Sequence, residues 1–266
     1  MPHSRNFQIK RQILLPVGVV LLLLIGSLGL VFNNYLSTRE AMQTEISARE
    51  AKNTWEHLRE ESSRRLAWFA EQTIGNDKMA LAMRRGDQAA LLAATQGDLA
   101  RMRHYFGISH WYFISADRHT VLRVHDPARA GDLIERKTLL EAANNGNPAT
   151  GLEIGPLGTY TLRHVVPWRH AGQLIGFVEL GMEVDWFARQ IKFITGLETL
   201  TLIDKSYTNQ AHFEAGQSAL GLNGNWHQHP HIALLSRTLA ELPDQLSTQL
   251  ESTRQNLTSK VFDLRD

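Results

Sequence analysis

The chain of 266 residues contains no cysteine and only eight prolines, and its charges almost cancel. Without cysteine there are no disulfides and no thiol chemistry, and the redox compartment stays undecided. The formal net charge is +1 and no long basic run occurs, which argues against nucleic-acid binding. The sequence also lacks Gly-x-Ser-x-Gly, Walker-type phosphate loops and His-Glu-x-x-His. We therefore predict no catalytic residue and no cofactor.

A long apolar segment lies near the N-terminus. Ile13–Phe32, ILLPVGVVLLLLIGSLGLVF, contains no charged residue, and as a helix it would span about 30 Å, the thickness of the hydrocarbon core. A cleaved signal peptide is the alternative, but the apolar run exceeds the usual length of about 7–15 residues and lacks a cleavage pattern. Because residues 1–12 hold three basic and no acidic residues, we expect them in the cytoplasm and residues after Asn33 outside the inner membrane.

The following segment favours a long helical stalk, which we place at 33–106. No proline or glycine occurs from Tyr35 to Ile74. Glycine breaks the pattern at 75–77, and Asp87 is a predicted N-cap of the helix that follows. Such a stripe packs either on the domain behind it or on a second copy, and we predict a homodimer. The apolar and small residues of the stripe recur at helical spacing: Ala51, Trp55, Leu58, Ser62, Leu66, Phe69 and Thr73.

Near Gly107 the pattern changes to that of an antiparallel sheet. The segment His110–Asp117 is aromatic and β-branched, and His119–Asp126 alternates so that Arg123 and His125 share one face. With long helices in front, the order of segments predicts an α+β fold whose first domain covers 107–190. The later segments of that domain are a helix at 136–144 and strands at 150–154, 159–166 and 174–182.

A second, similar lobe is predicted at 191–266. A connecting helix, Asp185–Thr195, leads to LETLTLID (Leu197–Asp204), which repeats the pattern of the first strand. Loop and helix are expected through His231, and then a helix from Thr238 followed by one strand. With two strands this lobe is incomplete, so we expect the chain to be a truncated product or a fragment of a longer protein.

These segments together resemble the double Cache sensors of bacterial membrane receptors, which are tandem PAS-like lobes on a long helix. The resemblance covers about 35–260, with the core of the match in Trp111–Glu183. It implies a membrane-distal ligand-sensing lobe outside the cytoplasm of a sensor kinase, chemoreceptor or cyclic-di-GMP enzyme, whose output domain this chain lacks. The opening LIDKSYTNQAHFEAGQSALG is similar to the double sensory domain of two-component sensor kinases. The matching motifs of the first lobe are YFISADRHTVLRVHDPARAGD, GLEIGPLGTYTLRHVVPW and LIGFVELGMEVDW.

A second resemblance concerns the ligand. In dicarboxylate- and citrate-sensing kinases, a related lobe holds carboxylates through an Arg-x-x-His-like strand motif and a later strand arginine. The counterparts are Arg123, His125 and Arg163, although this chain reads Arg-x-His. A guanidinium matches a carboxylate bidentately, so the expected ligand is a small carboxylate. We add three neighbours to the predicted ligand-binding site: Trp111, Glu153 and Glu179.

Each of these assignments has a structural alternative. Because an unpaired buried charge is costly, Arg123 is alternatively paired with Asp132 or Glu153, and Arg163 with Glu179. Aromatic residues on strands, Trp111 included, are otherwise core. Three alternating histidines could bind zinc, but a solvated loop explains them as well, and we predict no metal: His227, His229 and His231.

Two other function classes remain open from the sequence. An envelope hydrolase could use Glu153 and Glu179 as paired carboxylates for acid and base catalysis. A membrane-anchored dimerisation scaffold without a ligand is the second. Binding of a small molecule without turnover would separate the sensor from both.

Overall fold

The computed structural model describes residues 3–155, 158–222, 224–243, 246 and 250. Two units are distinguished, one containing Met1–Arg49 and the other Glu50–Lys260. The first helix, α1 (His3–Ile74), begins in the first unit and ends in the second. The predicted α+β class is confirmed by the elements that follow it.

The N-terminal part of α1 has the properties of a membrane span. Its apolar side chains are exposed all round, for example Leu22 at 70% and Leu30 at 74%. Such a surface is stable in hydrocarbon and unstable in water. By length and composition, α1 is the one helix of the described residues that is apolar enough to cross a membrane.

Two shorter helices follow α1, namely α2 (Asp77–Arg85) and α3 (Gln88–Phe106). The side chain of Asp87 accepts a hydrogen bond from the backbone N–H of Ala90, which confirms the predicted N-cap. At the other end, Gly107 closes α3 with a φ of 73°, a conformation that favours glycine.

The predicted stripe of α1 packs on the same chain. Leu58, Leu66 and Ala70 are buried in a core shared with α2, α3 and a β-sheet. The ring of Trp55 lies 5.2 Å from that of Phe187. Of the two predicted partners for this stripe, the structure therefore shows the protein's own domain. Because the stripe is buried in its own domain, it cannot be the surface through which we expected two copies of the chain to pair.

A five-stranded antiparallel sheet lies at the centre of the second unit. The strand order is β2-β1-β5-β4-β3, with α4 (Lys137–Asn145) packed over β3 and β4. Compared with the prediction, the strand that contains Arg123 is shorter, because the chain turns after that residue. The strands are β1 (Ile108–Ile114), β2 (Thr120–Arg123), β3 (Ala149–Ile154), β4 (Tyr160–His170) and β5 (Gln173–Glu183).

The two faces of this sheet differ in character, because successive side chains of a strand alternate between them. One face packs on α1, α2 and α3 through apolar residues that include Trp168 and Leu180. The other face carries a smaller apolar cluster, covered by Leu139 of α4. Buried charged residues lie beside that smaller cluster, so this second face holds the candidate site: Arg123, Arg163, Glu179 and Glu183.

The rest of the second unit forms a two-stranded sheet. The helix α5 (Val184–Thr195) leads to β6 (Leu200–Asp204), α6 (Gln210–Leu220) and β7 (Ile232–Arg237). The sequence analysis missed β7, because periodicity alone does not distinguish a short apolar run from buried helix. The helix predicted to begin at Thr238 is wrong at its start, since 238–243 is irregular. The remainder of that helix and the final predicted strand lie mostly outside the described residues.

Candidate ligand-binding site

The strand register places the charged residues in neighbouring rows across one face of the sheet. Tyr112 of β1 pairs with Arg123 of β2 on one side and with Glu179 of β5 on the other. In the adjacent row, Arg163 of β4 pairs with Gly181 of β5. Side chains that are directly opposite on one face lie about 5 Å apart, so this register brings the charged groups into contact.

Arg163 lies between glycines on both neighbouring strands. Gly151 of β3 and Gly181 of β5 are its pairing partners. A Cβ at Gly155 would lie only 3.2 Å from Nη2 of Arg163. The lack of a side chain at Gly155 leaves space for the guanidinium, and Arg163 is only 1% exposed.

Glu179 is the partner of two guanidiniums. Its Oε1 accepts a hydrogen bond from Nη1 of Arg163 at 2.6 Å. Nη2 of Arg136, just before α4, donates to both carboxylate oxygens at 2.6 and 2.5 Å. Burial alone raises the pKa of Glu179, but the charges and hydrogen bonds of Arg136 and Arg163 hold it below its ordinary value. The buried carboxylate is therefore ionised and fully engaged.

Arg123 forms a different kind of pair with Asp132. Its two terminal nitrogens donate to the two carboxylate oxygens at 2.7 Å each, and Nη1 also donates to the backbone oxygen of Arg129 at 2.7 Å. The hydrogen bonds of Arg123 lower the pKa of Asp132 to about 2. The side chain of Arg123 is 5% exposed, whereas that of Asp132 is 53% exposed. This pair is accessible from solvent on its acidic side.

The ring of Tyr112 lies at the centre of the cationic groups. The guanidinium carbons of Arg136, Arg123 and Arg163 are 5.0, 5.3 and 6.0 Å from its centroid. Cations attract the face of an aromatic ring, most strongly where water is excluded. Tyr112 therefore joins the Arg123–Asp132 pair to the Arg163–Glu179–Arg136 group, and we call these six residues the Tyr112 cluster.

His125 lies next to the cluster as a neutral side chain. Its ring centroid is 4.8 Å from that of Tyr112 and 4.5 Å from that of His110. Burial, followed by the charges of Arg123 and Arg163, lowers the pKa of His125 to about 3. The sequence analysis grouped His125 with the cations, but at neutral pH it provides hydrogen bonding without charge.

Glu153 lies at the edge of the cluster and caps a helix. Its two carboxylate oxygens accept hydrogen bonds from the backbone N–H of Thr138, at 2.6 Å, and from the Thr138 hydroxyl, at 3.0 Å. Its nearest approach to Arg163 is 3.9 Å. The acid and base roles considered for a hydrolase are therefore not supported, because Glu153 holds the start of α4 and Glu179 holds two arginines.

Glu183 ends β5 and completes the same face. Its Oε1 accepts a hydrogen bond from the hydroxyl of Thr161 at 2.9 Å and lies 3.4 Å from Nδ1 of His110. Burial raises the pKa of Glu183 to about 7, although the charge of Arg163 acts in the opposite direction. Glu183 is thus a buried acid that changes its charge near neutral pH.

The structure brings together five of the six predicted ligand-binding residues, all except Trp111. The exception follows from strand alternation, because Trp111 lies on the opposite face, stacked at 5.9 Å on Phe113 in the core shared with the helices. Its neighbour Tyr112 occupies the position at the cluster. The sequence analysis gave Arg136 and Glu183 no role in the site, and it placed Arg136 at the start of the helix predicted at 136–144, one residue before α4 begins.

The predicted absence of a metal site concerned the histidines near residue 229. Among the described residues, no group of three or more potential metal ligands of the histidine, cysteine and carboxylate types is found.

Residues 49–254 match the family described as the double sensory domain of two-component sensor kinases. The match covers well over half of the chain, and the protein belongs to this family of sensory domains. The resemblance found in the sequence is thereby confirmed. A single apolar helix at the N-terminus fits a membrane anchor for such a domain.

Three solved sensor domains are similar to this chain at low sequence identity. The sensor domain of DcuS from E. coli is 16% identical, with 51% of this chain and 98% of that chain covered and a TM-score of 0.45. The periplasmic domain of LuxQ from Vibrio cholerae is 14% identical, covering 74% and 81%, with a TM-score of 0.47. The ligand-binding domain of chemoreceptor Tlp3 from Campylobacter jejuni, solved with L-valine, is 11% identical, covering 62% and 68%, with a TM-score of 0.42. No curated protein sequence matches the chain.

Replacing Glu183 by Gln should remove a pH-dependent cost of folding. The ordinary pKa of this carboxyl is 4.5, and it rises to about 7 in the folded protein. Between these values the folded state binds the extra proton, so the free energy of unfolding falls as pH rises, by at most about 1.4 kcal/mol per pH unit, and levels off above pH 7. The amide of the Glu183→Gln variant does not titrate, so the variant does not lose stability in this way. Its free energy of unfolding should therefore rise relative to that of the wild type as the pH increases from 4.5 to about 7.

Urea unfolding of both proteins between about pH 5 and pH 8 measures the difference. Burial holds the pKa of His110 well below 6.5, so this residue destabilises the fold as pH falls. Because Nδ1 of His110 lies 3.4 Å from Glu183, the two groups titrate as a coupled pair, and the difference between the two proteins reports on that pair. The exposed Glu135 provides the matched control, since Glu135→Gln should follow the wild type at every pH. A difference between Glu183→Gln and wild type that does not change with pH would show that Glu183 titrates normally.

Proposed function

We propose that this chain is the extracytoplasmic sensing region of a membrane receptor and binds a small carboxylate at the Tyr112 cluster. The observation that carries the proposal is the unequal exposure of the two partners in the Arg123–Asp132 pair. A buried arginine is held by a carboxylate that solvent can reach. An incoming carboxylate can take the place of Asp132 on the same bidentate fork without leaving a buried charge unpaired.

The remaining cluster residues would form the fixed part of the site. Arg163, Glu179 and Arg136 satisfy one another in the interior, so their role would be to hold Tyr112 and the start of α4. Glu153 caps that helix. His125, being neutral, would contribute a hydrogen bond to the ligand rather than a charge.

Replacement of Asp132 by a ligand at Arg123 would also change the conformation of the adjacent loop. Arg123 holds the exposed loop 127–133 through two contacts, the carboxylate of Asp132 and the backbone oxygen of Arg129. A ligand that displaces Asp132 would release this loop at one end. A ligand shifts a conformational equilibrium by its difference in affinity for the two states, and here the difference arises at the loop.

Two substitutions in the same pair should have opposite effects on affinity. Asp132→Asn removes the competing carboxylate and should strengthen carboxylate binding by a few-fold to about tenfold. Arg123→Gln removes the bidentate guanidinium and should weaken carboxylate binding by about ten- to a hundredfold. Arg123→Lys should also weaken carboxylate binding, because an ammonium does not reproduce the bidentate contact. Calorimetry of the full chain in lipid nanodiscs, after a thermal-shift screen that includes succinate and citrate, measures the affinities at low and high salt.

The control for these variants is Asp126→Asn, an acid of the same loop whose distance from Arg129 is 3.8 Å. It should leave affinity unchanged. If both Asp132→Asn and Arg123→Gln merely lower the melting temperature while binding is unaltered, the pair is structural and the proposed site is wrong. Turnover of a bound metabolite would instead favour the hydrolase, and the absence of any stabilising carboxylate would favour the scaffold.

The proposed topology places residues 1–12 in the cytoplasm, 13–32 across the inner membrane, and a stalk with two lobes in the periplasm. The lobes would cover 107–190 and 191–266, with the output domain of the receptor outside this chain. Alkaline phosphatase fused after Gly196, in the turn that follows α5, should be active because it folds only outside the cytoplasm. A cytoplasmic reporter that is active at the same position would reverse this topology.

We further propose a homodimer that uses the exposed side of α1. The apolar stripe is covered, but the opposite side remains exposed through residues such as Asn53, Glu56 and His57. Single cysteines at these positions should crosslink between copies with helical periodicity. Cysteines at the buried Ser62 and Leu66 are the matched controls and should not crosslink. Equal crosslinking at both sets would count against a specific dimer.

A further inference from the structure

A cavity lies on the other face of the sheet, away from the Tyr112 cluster. Its volume is about 320 Å³, at the lower end of cavities that hold small molecules. One wall is the stalk part of α1 and the other is the edge of the sheet formed by β3 and β4. The lining residues are Arg59, Glu60, Ser63, Arg64, Thr150, Gly151, Leu152 and Leu162.

The sheet wall of this cavity is apolar with a neutral polar rim. Leu152 and Leu162 are paired residues of β3 and β4 and form the floor. At the rim, the hydroxyl of Thr150 lies 2.6 Å from Nδ1 of His164. Burial lowers the pKa of His164 to about 4, so this side of the cavity carries no charge at neutral pH.

The helix wall supplies two cations, Arg59 and Arg64. Within the described residues, the guanidiniums of Arg59 and Arg64 make no ion pair and no hydrogen bond, although other arginines of the same helix, such as Arg65, are paired. Glu60 also lines the cavity, so its net formal charge is +1. Unpaired guanidiniums beside apolar surface match the head group of an amphiphilic anion.

We propose that this cavity binds a small amphiphilic monoanion, such as a short-chain carboxylate. The carboxylate contacts Arg59 and Arg64, and the alkyl chain covers Leu152 and Leu162. A dianion is disfavoured because the second negative charge would meet the apolar floor or Glu60. This site is separate from the proposed site at Arg123 and does not depend on it.

The site adjoins the Tyr112 cluster through the backbone of the edge strands. Gly151 lines the cavity and is the pairing partner of Arg163, whose guanidinium lies on the opposite face. A ligand wedged between α1 and β3 is therefore one strand thickness from the buried ion pairs. The bound monoanion consequently contacts both the stalk helix and the strands that carry the candidate sensor site.

The test uses the full chain in lipid nanodiscs, titrated with hexanoate and corrected for partition into empty nanodiscs. Wild type should bind with a dissociation constant near or below about 1 mM, as expected for so small a ligand. Hexan-1-ol, which lacks the charge, and adipate, which has a second charge, should bind at least about tenfold more weakly. Equal binding of hexan-1-ol would overturn the proposal.

Variants then locate the binding. The double substitution Arg59→Gln and Arg64→Gln should weaken hexanoate binding by about tenfold or more, and Ser63→Phe should abolish it by filling the cavity. The double substitution Arg84→Gln and Arg85→Gln removes the same charge from exposed positions of α2 and should leave binding unchanged.

One further variant distinguishes this cavity from the sensor site. Arg123→Gln should retain hexanoate binding, and melting temperatures measured alongside confirm that each variant is folded. If Arg123→Gln loses binding while the Arg59 and Arg64 variant keeps it, hexanoate occupies the Tyr112 cluster and the cavity proposal is wrong. Absence of hexanoate binding to wild type at millimolar concentration would also refute the proposal, without affecting the carboxylate exchange proposed at Arg123.

Discussion

The organisation of this domain depends on neutralising a positive charge inside a β-sheet. Arg163 is 1% exposed and its partner Glu179 is fully buried, so neither tolerates loss of the other. Removing one member of a buried pair typically costs about 3–5 kcal/mol, because the remaining charge is stranded. Arg136 provides the second hydrogen-bonding partner that the buried carboxylate of Glu179 requires.

This requirement divides the charged residues into two groups, which differ in whether they can exchange their partner for another anion. The interior group is closed, since Glu179 already accepts from two guanidiniums. Arg123 has a partner that is half in solvent, and partner exchange there exposes no orphaned charge. Burial alone would point to Arg163 as the ligand-binding residue, whereas the exposure of its partner Asp132 is the reason that we propose Arg123. A binding residue must be able to release its intramolecular partner at low cost.

The parts of the fold that depend on local pattern could be predicted from the sequence. The membrane segment, the Asp87 cap and the strands of the five-stranded sheet followed from hydropathy, spacing and turn residues. The pairing of Arg163 with Glu179 was foreseen as an alternative, but local pattern could not decide it, because it depends on which strand lies beside which. Trp111 and Tyr112 are adjacent on a strand that is buried on both faces, so only the register shows which of them faces the charges. Arg136 was predicted as the first residue of a helix, and its place one residue before α4 gave no indication that its side chain contacts Glu179 of β5.

The two faces of the five-stranded sheet connect the charged residues to the packing of α1. The face that carries the ion pairs and the face that packs on α1 belong to the same strands, and alternate residues of β4 take part in both. Close packing resists small continuous shifts, so a rearrangement on one face tends to move whole strands. Leu162 contacts the helical core and its neighbour Arg163 holds Glu179. The charged cluster and the packing of α1 are therefore separated by a single peptide unit, with no intervening loop.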